Sequence, residues 1–160
     1  MPFGFGSGAG VIFGVTGGVT EAMLRRFADK HDKATMDTVA ESGARGDDGI
    51  KEFSVTYKGI PLNVCVASGL ANARTVMENI KSGKKHYHIV EIMACRRGCI
   101  MGGGQPPRAG SRTKVARSEG LYQADNITSI RKADENPLIM SLYDGLLKGK
   151  VHELLHVDGY

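Results

Sequence analysis

The sequence predicts an α/β fold: a small parallel or mixed β-sheet flanked by helices, with a helical extension at the C-terminal end. Two observations support it. Two β-rich runs flank a short Lys-Gly turn at 58–59, which is typical of a hairpin. The second run is followed by a helical pattern at 70–81 and by a strand pattern at 86–93. A strand, a helix and a strand in this order predict a parallel pair.

Length and composition indicate a single globular domain. The chain has 160 residues, of which 41% are hydrophobic and 24% are charged, enough to build a hydrophobic core. Within that domain we expect residues 1–110 to form the α/β lobe and residues 111–160 to form a C-terminal helical belt. Residues 31–49 are polar and are expected to be irregular.

Charge and cysteine content exclude several classes of protein. A net charge of +4 without any Trp argues against a nucleic-acid-binding role. No apolar run approaches the ~20 residues that cross a membrane. Three cysteines, an odd number, favour a reducing and hence cytoplasmic compartment over a disulfide scaffold. We interpret Cys65, which lies in an apolar run, as a small core residue.

Two helices show an apolar stripe. In the helix that begins near residue 17, Val19, Met23 and Phe27 recur at helical spacing and are expected to form the buried face, with Glu21 and Arg25 outside it. In the helix at 70–81, the residues expected to share a buried face are Leu70, Ala71, Val76, Met77 and Ile80.

The glycine-rich segment at 4–18 does not match a phosphate-binding loop, because no strand precedes it and its glycine spacing fails. The Gly17-Gly18 pair has two interpretations. Either the first helical turn packs closely against a neighbour, or it presents bare N–H groups to an anion. An exposed apolar face around residues 1–19 would indicate that another polypeptide covers it.

A cysteine pair follows the last predicted strand. Cys95 and Cys99 are separated by three residues, and glycines at 102–104 come next. Thiolates bind iron–sulfur clusters or zinc, and glycines let the backbone approach a bound group closely. Ligands usually bind beyond the carboxyl ends of parallel strands. The alternative is a buried strand followed by a glycine turn with inert cysteines, since a C-x3-C pair is by itself an incomplete ligand set.

A second metal motif lies near the C-terminal end. His152, Glu153 and His156 form the H-E-x-x-H pattern of zinc peptidases. That site needs a third ligand, usually downstream, and only residues 157–160 follow. The alternative is an apolar docking face flanked by imidazoles. A zinc peptidase is therefore kept only as an alternative function.

Several blocks of the sequence resemble, in order, the C-terminal part of the catalytic domain of iron-only hydrogenases. The blocks are 8–19, 49–52, 66–73, 93–106, 135–137 and 152–156. The cysteine motif with its Gly-Gly-Gln-Pro tail is the most specific of them. The resemblance covers nearly the whole chain and implies one lobe of that catalytic domain.

The resemblance also implies a cofactor and its ligands. Family members hold a 4Fe–4S cluster on four cysteines, linked to a two-iron subcluster with CO, cyanide and a bridging dithiolate. By motif position, Cys95 is implied as a cluster ligand and Cys99 as the ligand that bridges the two parts. Met93 is implied, with Cys99, at the catalytic centre. Further residues implied around the cofactor are Phe13, Gly14 and Val19. Arg96 and Arg97 depart from the smaller residues found between these cysteines in many members of the family, but their charge is expected to offset that of an anionic cluster.

The resemblance is incomplete, because the family's upstream cysteine motifs, its proton-relay cysteine and its active-site lysine have no counterpart here. Two thiolates cannot hold a cluster that takes four. We therefore expect part of a hydrogenase that reversibly reduces protons to hydrogen and is inactive as this chain alone. A partner chain or a missing N-terminal half would supply the other two cysteines, and a ferredoxin would carry electrons. The alternative is a non-catalytic, hydrogenase-like iron–sulfur assembly or sensor module.

Overall fold

The computed structural model describes residues 5–28, 33–46, 49–106 and 110–157. Its strands are β1 (Ile50–Tyr57), β2 (Ile60–Ser68) and β3 (Ile89–Met93). Its α-helices are α1 (Gly8–Val11), α2 (Gly18–Phe27), α3 (Lys33–Ala40), α4 (Leu70–Lys81), α5 (Ser111–Ile127), α6 (Pro137–Asp144) and α7 (Val151–Leu155). Every helix within these ranges is too short or too polar to cross a bilayer.

Strands β1 and β2 form the predicted hairpin. They pair antiparallel, with Tyr57 opposite Ile60 at the closed end. The two turn residues, Lys58 and Gly59, both have positive φ angles, 49° and 80°. This geometry matches the twist of the flanking strands and explains why a two-residue turn is sufficient.

Helix α4 connects β2 to β3, which pair in parallel with Ser68 opposite Met93. The strand order is β1-β2-β3, so the described sheet is mixed and β3 lies at its edge. The predicted fold class, a small mixed sheet flanked by helices, is confirmed. The parallel pair brings the carboxyl ends of β2 and β3 to the same edge of the sheet. The division at residue 110 stays a prediction.

Within the described residues, two apolar clusters stabilise the fold. On one face of the sheet, Cys65 and Ala67 pack against Val76 of α4. The other cluster joins Ile12, in the turn after α1, to Ile100 of the loop that follows β3. Cys65 is fully buried, which confirms its interpretation as a core residue. The second cluster connects the glycine-rich segment directly to the cysteine loop.

Helix α2 buries the face opposite to the predicted one. Val19 is 40% exposed, and Met23 and Phe27 are half-buried, whereas Glu21 and Arg25 are fully buried. The prediction that the apolar stripe faces the core is therefore wrong. The physical reason is that Glu21 and Arg25 have charged partners elsewhere in the chain, which the pattern of one helix does not reveal.

A buried ionic network joins α2 to α5. Both carboxylate oxygens of Asp125 accept hydrogen bonds from the Arg25 guanidinium at 2.7 Å, and Glu21 accepts one from Arg25 at 2.6 Å. Arg45 donates to Glu21, and Arg131 donates to Asp125. Burial of these charges is tolerated because each carboxylate has two guanidinium partners.

Helix α4 follows its prediction only in part. Val76 is buried as expected, but Leu70 is 68% exposed and Met77 is 52% exposed. Ile80 is also exposed. The helix therefore contacts the sheet through a narrower stripe than the sequence indicates. A further difference is α3, which lies in the segment that was expected to be irregular.

Candidate metal centre

The loop after β3 folds into tight turns that present both thiols to solvent. The Gly98 N–H donates to the Cys95 carbonyl at 3.0 Å, and the Gly102 N–H donates to the Cys99 carbonyl at 3.0 Å. A 3-10 turn covers Cys99–Met101. The side chains of Cys95 and Cys99 are both exposed, unlike that of Cys65. Two free thiols therefore lie on a short folded loop at the carboxyl end of a parallel strand.

Gly98 lets this loop approach the glycine-rich segment. Its φ angle is +84°, and a Cβ at this position would lie 2.7 Å from the Gly14 carbonyl oxygen and 3.0 Å from the Thr16 nitrogen. Any side chain would therefore push the two segments apart. This contact explains why a glycine stands directly before Cys99.

Ser68, at the end of β2, fixes the loop from the side of the sheet. Its hydroxyl oxygen accepts a hydrogen bond from the Arg97 N–H at 2.8 Å, and Thr16 Oγ1 lies 3.4 Å from it. The Met93 carbonyl accepts a hydrogen bond from the Gly69 N–H at 2.7 Å. The loop is thus held by the ends of two parallel strands and by the glycine-rich segment.

Glu91 joins β3 to the start of α2. Its buried carboxylate accepts hydrogen bonds from the Gly17 N–H at 2.8 Å, from the Thr20 N–H at 2.7 Å and from the Thr20 hydroxyl at 2.6 Å. A carboxylate is favourable at a helix N-terminus because the free N–H groups carry partial positive charge. The anion at the Gly17-Gly18 turn is therefore a side chain of the same chain.

The other interpretation of the Gly17-Gly18 pair, close packing against a neighbour, also applies. A Cβ on Gly17 would lie 1.9 Å from the Ala44 carbonyl oxygen. Sequence reasoning missed Glu91. Its signal was a single carboxylate inside the apolar run that forms β3, a position where a charge requires partners.

The other residues predicted around the cofactor lie in two places. The Gly14 carbonyl lies against Gly98, and half-buried Met93 ends β3 directly before the loop. Phe13 and Val19, 47% and 40% exposed, instead line an open groove of about 510 Å³ with side chains of α2 and α6. Their predicted roles at a cofactor stay predictions.

Arg96 and Arg97, between the thiols, are both exposed. Arg97 adopts the left-handed conformation with a φ angle of +70°. Its neighbour Gly98 shares the positive φ angle, so the backbone reverses sharply between the two cysteines. Positive charge is therefore present on the same turn as the two thiols, as expected beside an anionic group.

The chain offers only part of a metal-ligand set. Within the described ranges, no group of three or more His, Cys, Asp or Glu side chains is placed to hold a metal ion. The rings of His152 and His156 stack with centroids 5.2 Å apart, but α7 has only five residues. The described part of the chain supplies no third ligand for a peptidase site there. The two loop thiols remain the best donors.

Comparison with known proteins gives a consistent result. The family model for the iron only hydrogenase large subunit, C-terminal domain, matches residues 1–103, and that for the iron hydrogenase small subunit matches residues 111–159. Iron hydrogenase 1 of Clostridium pasteurianum is 38% identical over 159 residues, covering 94% of this chain and 28% of that protein.

Two further matches are with an iron–sulfur cluster assembly factor and with a solved hydrogenase structure. The cytosolic Fe-S cluster assembly factor narfl of Xenopus tropicalis is 31% identical over 140 residues, covering 86% of this chain and 29% of that protein. A solved structure of the FeFe-hydrogenase HydA1 from Chlamydomonas reinhardtii, in a variant form, matches with a TM-score of 0.62 and 34% identity. The match covers 98% of this chain and 47% of that one. The chain thus spans less than half the length of each.

Proposed function

Because this chain belongs to the iron-only hydrogenase family, we propose that it supplies the C-terminal part of a hydrogenase catalytic domain. In this proposal Cys95 and Cys99 are two of the four thiolate ligands of the active-site cluster. The observation that carries it is the exposed thiol pair on a loop fixed by Ser68 and by the Gly14–Gly98 contact. Ligands held by a rigid scaffold bind a metal group in one defined geometry.

The cofactor of the proposal is a 4Fe–4S cluster joined to a two-iron subcluster that carries CO, cyanide and a bridging dithiolate. When bound, it supplies the redox and hydrogen-binding chemistry of reversible proton reduction. Cys95 would hold the cluster and Cys99 would be shared between its two parts. The residues fit this role because a Cβ on Gly102 would lie 3.8 Å from Cys95 Sγ, so its absence leaves space beside the thiol.

Arg96 and Arg97 would balance the charge of this anionic group from the protein side. Both are exposed and lie on the same turn as the thiols. Met93 would border the cofactor from the end of β3, and Phe13, Gly14 and Val19 would do so from the glycine-rich segment. Hydrogen bonding and burial around the sulfur ligands would then set the potential of the cluster.

The ligand set requires a second polypeptide segment. A cubane cluster takes four cysteines, and the described part of this chain presents two exposed ones. We propose that a complementary hydrogenase half, either a separate subunit or an N-terminal segment, brings the other two. The chain alone would then be inactive, and an electron carrier such as ferredoxin would serve the assembled enzyme in the cytoplasm.

Two exposed apolar surfaces support a missing half. Phe13, Val19, Met140 and Tyr143 line the groove between α2 and α6, and each is at least 40% exposed. Strand β3 is also an edge strand among the described residues, with Val90 and Ile92 partly exposed along it. Exposed apolar side chains and an unpaired strand edge are typical of surfaces that another segment covers.

Hydrogen evolution tests the proposal. The chain is co-expressed with a complementary half carrying the other cysteine motifs and with the hydrogenase maturation proteins, and hydrogen release from reduced viologen is measured. We expect activity only when both halves are present, and we expect Cys99→Ser to abolish it. Cys65→Ala is the matched control, because Cys65 is a buried core residue. Full activity of Cys99→Ser would exclude the proposed bridging thiol.

A second function is favoured by one observation, the similarity to a cytosolic Fe-S cluster assembly factor. In this alternative the same two thiols hold an iron–sulfur cluster that is not used to make hydrogen. The two functions differ in one result. A complex that holds a cysteine-dependent cluster but evolves no hydrogen supports the assembly or sensor role.

A further inference from the structure

Arg117 of α5 bonds to the loop that carries the two thiols. Its Nη1 donates to the Ile100 carbonyl at 2.6 Å, and its Nη2 donates to the Pro106 carbonyl at 3.0 Å. Nη1 also lies 3.9 Å from the sulfur of Met101. Because Ile100 directly follows Cys99, this half-buried guanidinium contacts the backbone one residue away from the proposed bridging thiol.

The two carbonyls lie at the ends of a glycine-rich segment. Between Ile100 and Pro106 the chain reads Met-Gly-Gly-Gly-Gln, and glycine has more backbone freedom than any other residue. Within the segment, the Gly102 N–H donates to the Cys99 carbonyl and the Gln105 N–H donates to the Gly102 carbonyl, both at 3.0 Å. A guanidinium that bonds to both ends keeps them together and so restricts the conformations of the segment between them.

The rest of α5 sets the position of Arg117. Leu121 and Asp125 follow it at intervals of four residues, so the three side chains lie on one face of the helix. Leu121 packs against the apolar cluster that contains Ile100. Asp125 is fully buried and is bonded to Arg25 at 2.7 Å. The helix is thus fixed to the body of the chain one turn and two turns beyond Arg117, and it holds the guanidinium against the loop.

Arginine suits this position because of its geometry. Its planar guanidinium presents several N–H groups in a rigid fork, so it can donate to two carbonyls at once. A lysine at position 117 would keep the positive charge but would lack the fork. The variants Arg117→Lys and Arg117→Gln therefore separate the effect of the fork from the effect of the charge.

We propose that Arg117 is a positioning residue for Cys99: by bonding to the Ile100 and Pro106 carbonyls, it fixes the turn that presents this thiol. The restraint on the loop depends only on the contacts above, whereas an effect on a bound cluster rests on the proposed function. The two effects are therefore measured separately.

Backbone amide relaxation, measured by NMR on the full chain without cofactor, tests the restraint on the loop. In the parent chain we expect order parameters of about 0.85 at residues 101–105, as in rigid backbone. Arg117→Gln should lower them to below about 0.6, and Arg117→Lys should give intermediate values. The amides of β2 and β3 should not change. Arg112→Gln is the matched control, since exposed Arg112 carries the same charge on the same helix.

Melting temperatures show whether a variant has lost its fold instead. We expect shifts of only a few degrees, because the buried apolar clusters are unchanged. Arg117→Lys, which keeps the charge, gives the same comparison if Arg117→Gln does not fold. Unchanged order parameters at residues 101–105 would overturn the inference, as would an equal fall in Arg112→Gln or a fall throughout the chain.

Electron paramagnetic resonance of the complex of both halves measures the effect on the cluster. We expect a broader cubane signal from both Arg117 variants than from the parent complex, because a loosely held Cys99 adopts several conformations. An unchanged signal in Arg117→Gln would overturn the role of Arg117 at Cys99. Absence of a cubane signal from the parent complex would instead contradict the proposed function, and the relaxation measurement would still decide whether Arg117 holds the loop.

Discussion

Replacement of Asp125 by alanine should lower the free energy of unfolding by about 3–5 kcal/mol, because it leaves Arg25 buried without its bidentate partner. Asp125 and Arg25 are both fully buried, and Arg131 would lose the same partner. Urea denaturation followed by circular dichroism measures the effect. Arg26→Gln is the matched control, since the Arg26–Asp134 pair is largely exposed and should contribute about 1 kcal/mol or less. Equal losses in the two variants would contradict a stabilising role for the buried network.

The carboxylate of Asp125 also determines how the stability of the fold should depend on pH. Burial alone would raise the pKa of Asp125, but hydrogen bonds and charge from Arg25 and Arg131 hold it below its ordinary value. Its contribution to stability is therefore fully present above the unfolded-state pKa of about 4 and is lost as the pH falls through the lower folded-state pKa. Asp125→Asn should show a shallower loss of stability below pH ~4 than the parent chain. If the free energy of unfolding fell equally with pH in the two chains, Asp125 would not be the group responsible for the loss.

Replacement of Glu91 by glutamine should lower the free energy of unfolding by about 3 kcal/mol and detach the start of α2 from β3. The carboxylate accepts three hydrogen bonds, from two N–H groups and one hydroxyl, and charged hydrogen bonds contribute about 1.5–3 kcal/mol each. An amide keeps one oxygen acceptor, and its NH2 group replaces the other oxygen, so a donor then faces either the Gly17 N–H or the Thr20 N–H and hydroxyl. Urea denaturation gives the loss in stability, and hydrogen exchange at these two amides shows where it occurs.

A partly exposed carboxylate provides the comparison for Glu91. Glu52→Gln removes a charge that is bonded to Lys85 at 2.8 Å and to Tyr87, in a pair whose side chains are 39% and 48% exposed. We expect a loss of about 1 kcal/mol or less and no change in exchange at Gly17 or Thr20. If Glu91→Gln left exchange at those amides unchanged, the proposed anchor between β3 and α2 would be wrong.

Local chemistry was sufficient to predict the sheet. Lys58 and Gly59 supply the two positive φ angles that a tight hairpin needs, and the alternating runs on either side define its strands. The parallel pair followed from the length of the crossover that contains α4. These features depend on residues that are close in sequence, so the pattern of one short segment is enough to predict each of them.

The buried face of α2 depended on distant residues and could not be predicted this way. Arg25 pairs with Asp125, 100 positions away, and only that pairing makes a buried guanidinium favourable. Periodicity assigns the apolar stripe to the core, whereas here Val19 faces a groove. An apolar stripe left outside the core is expected when the surface belongs to an interface.

Only part of the site could be predicted, because some of its residues also depend on distant segments. The cysteine pair and its glycines are local, so the loop and its place after β3 followed from the sequence. The residues that hold this loop in place could not be predicted from local patterns. Ser68 and Glu91 act on segments 29 and 74 positions away, through a hydroxyl and a carboxylate that have no distinctive spacing.

Electron paramagnetic resonance of the anaerobically reconstituted, reduced protein shows whether Cys95 and Cys99 bind an iron–sulfur cluster from one side while a complementary half binds it from the other. We expect a cubane signal from the complex of both halves and no such signal from this chain alone. The signal should be lost from the complex that carries Cys95→Ser and Cys99→Ser together. A full cubane signal from the isolated chain, or one that survives the double replacement in the complex, would contradict this binding from two sides.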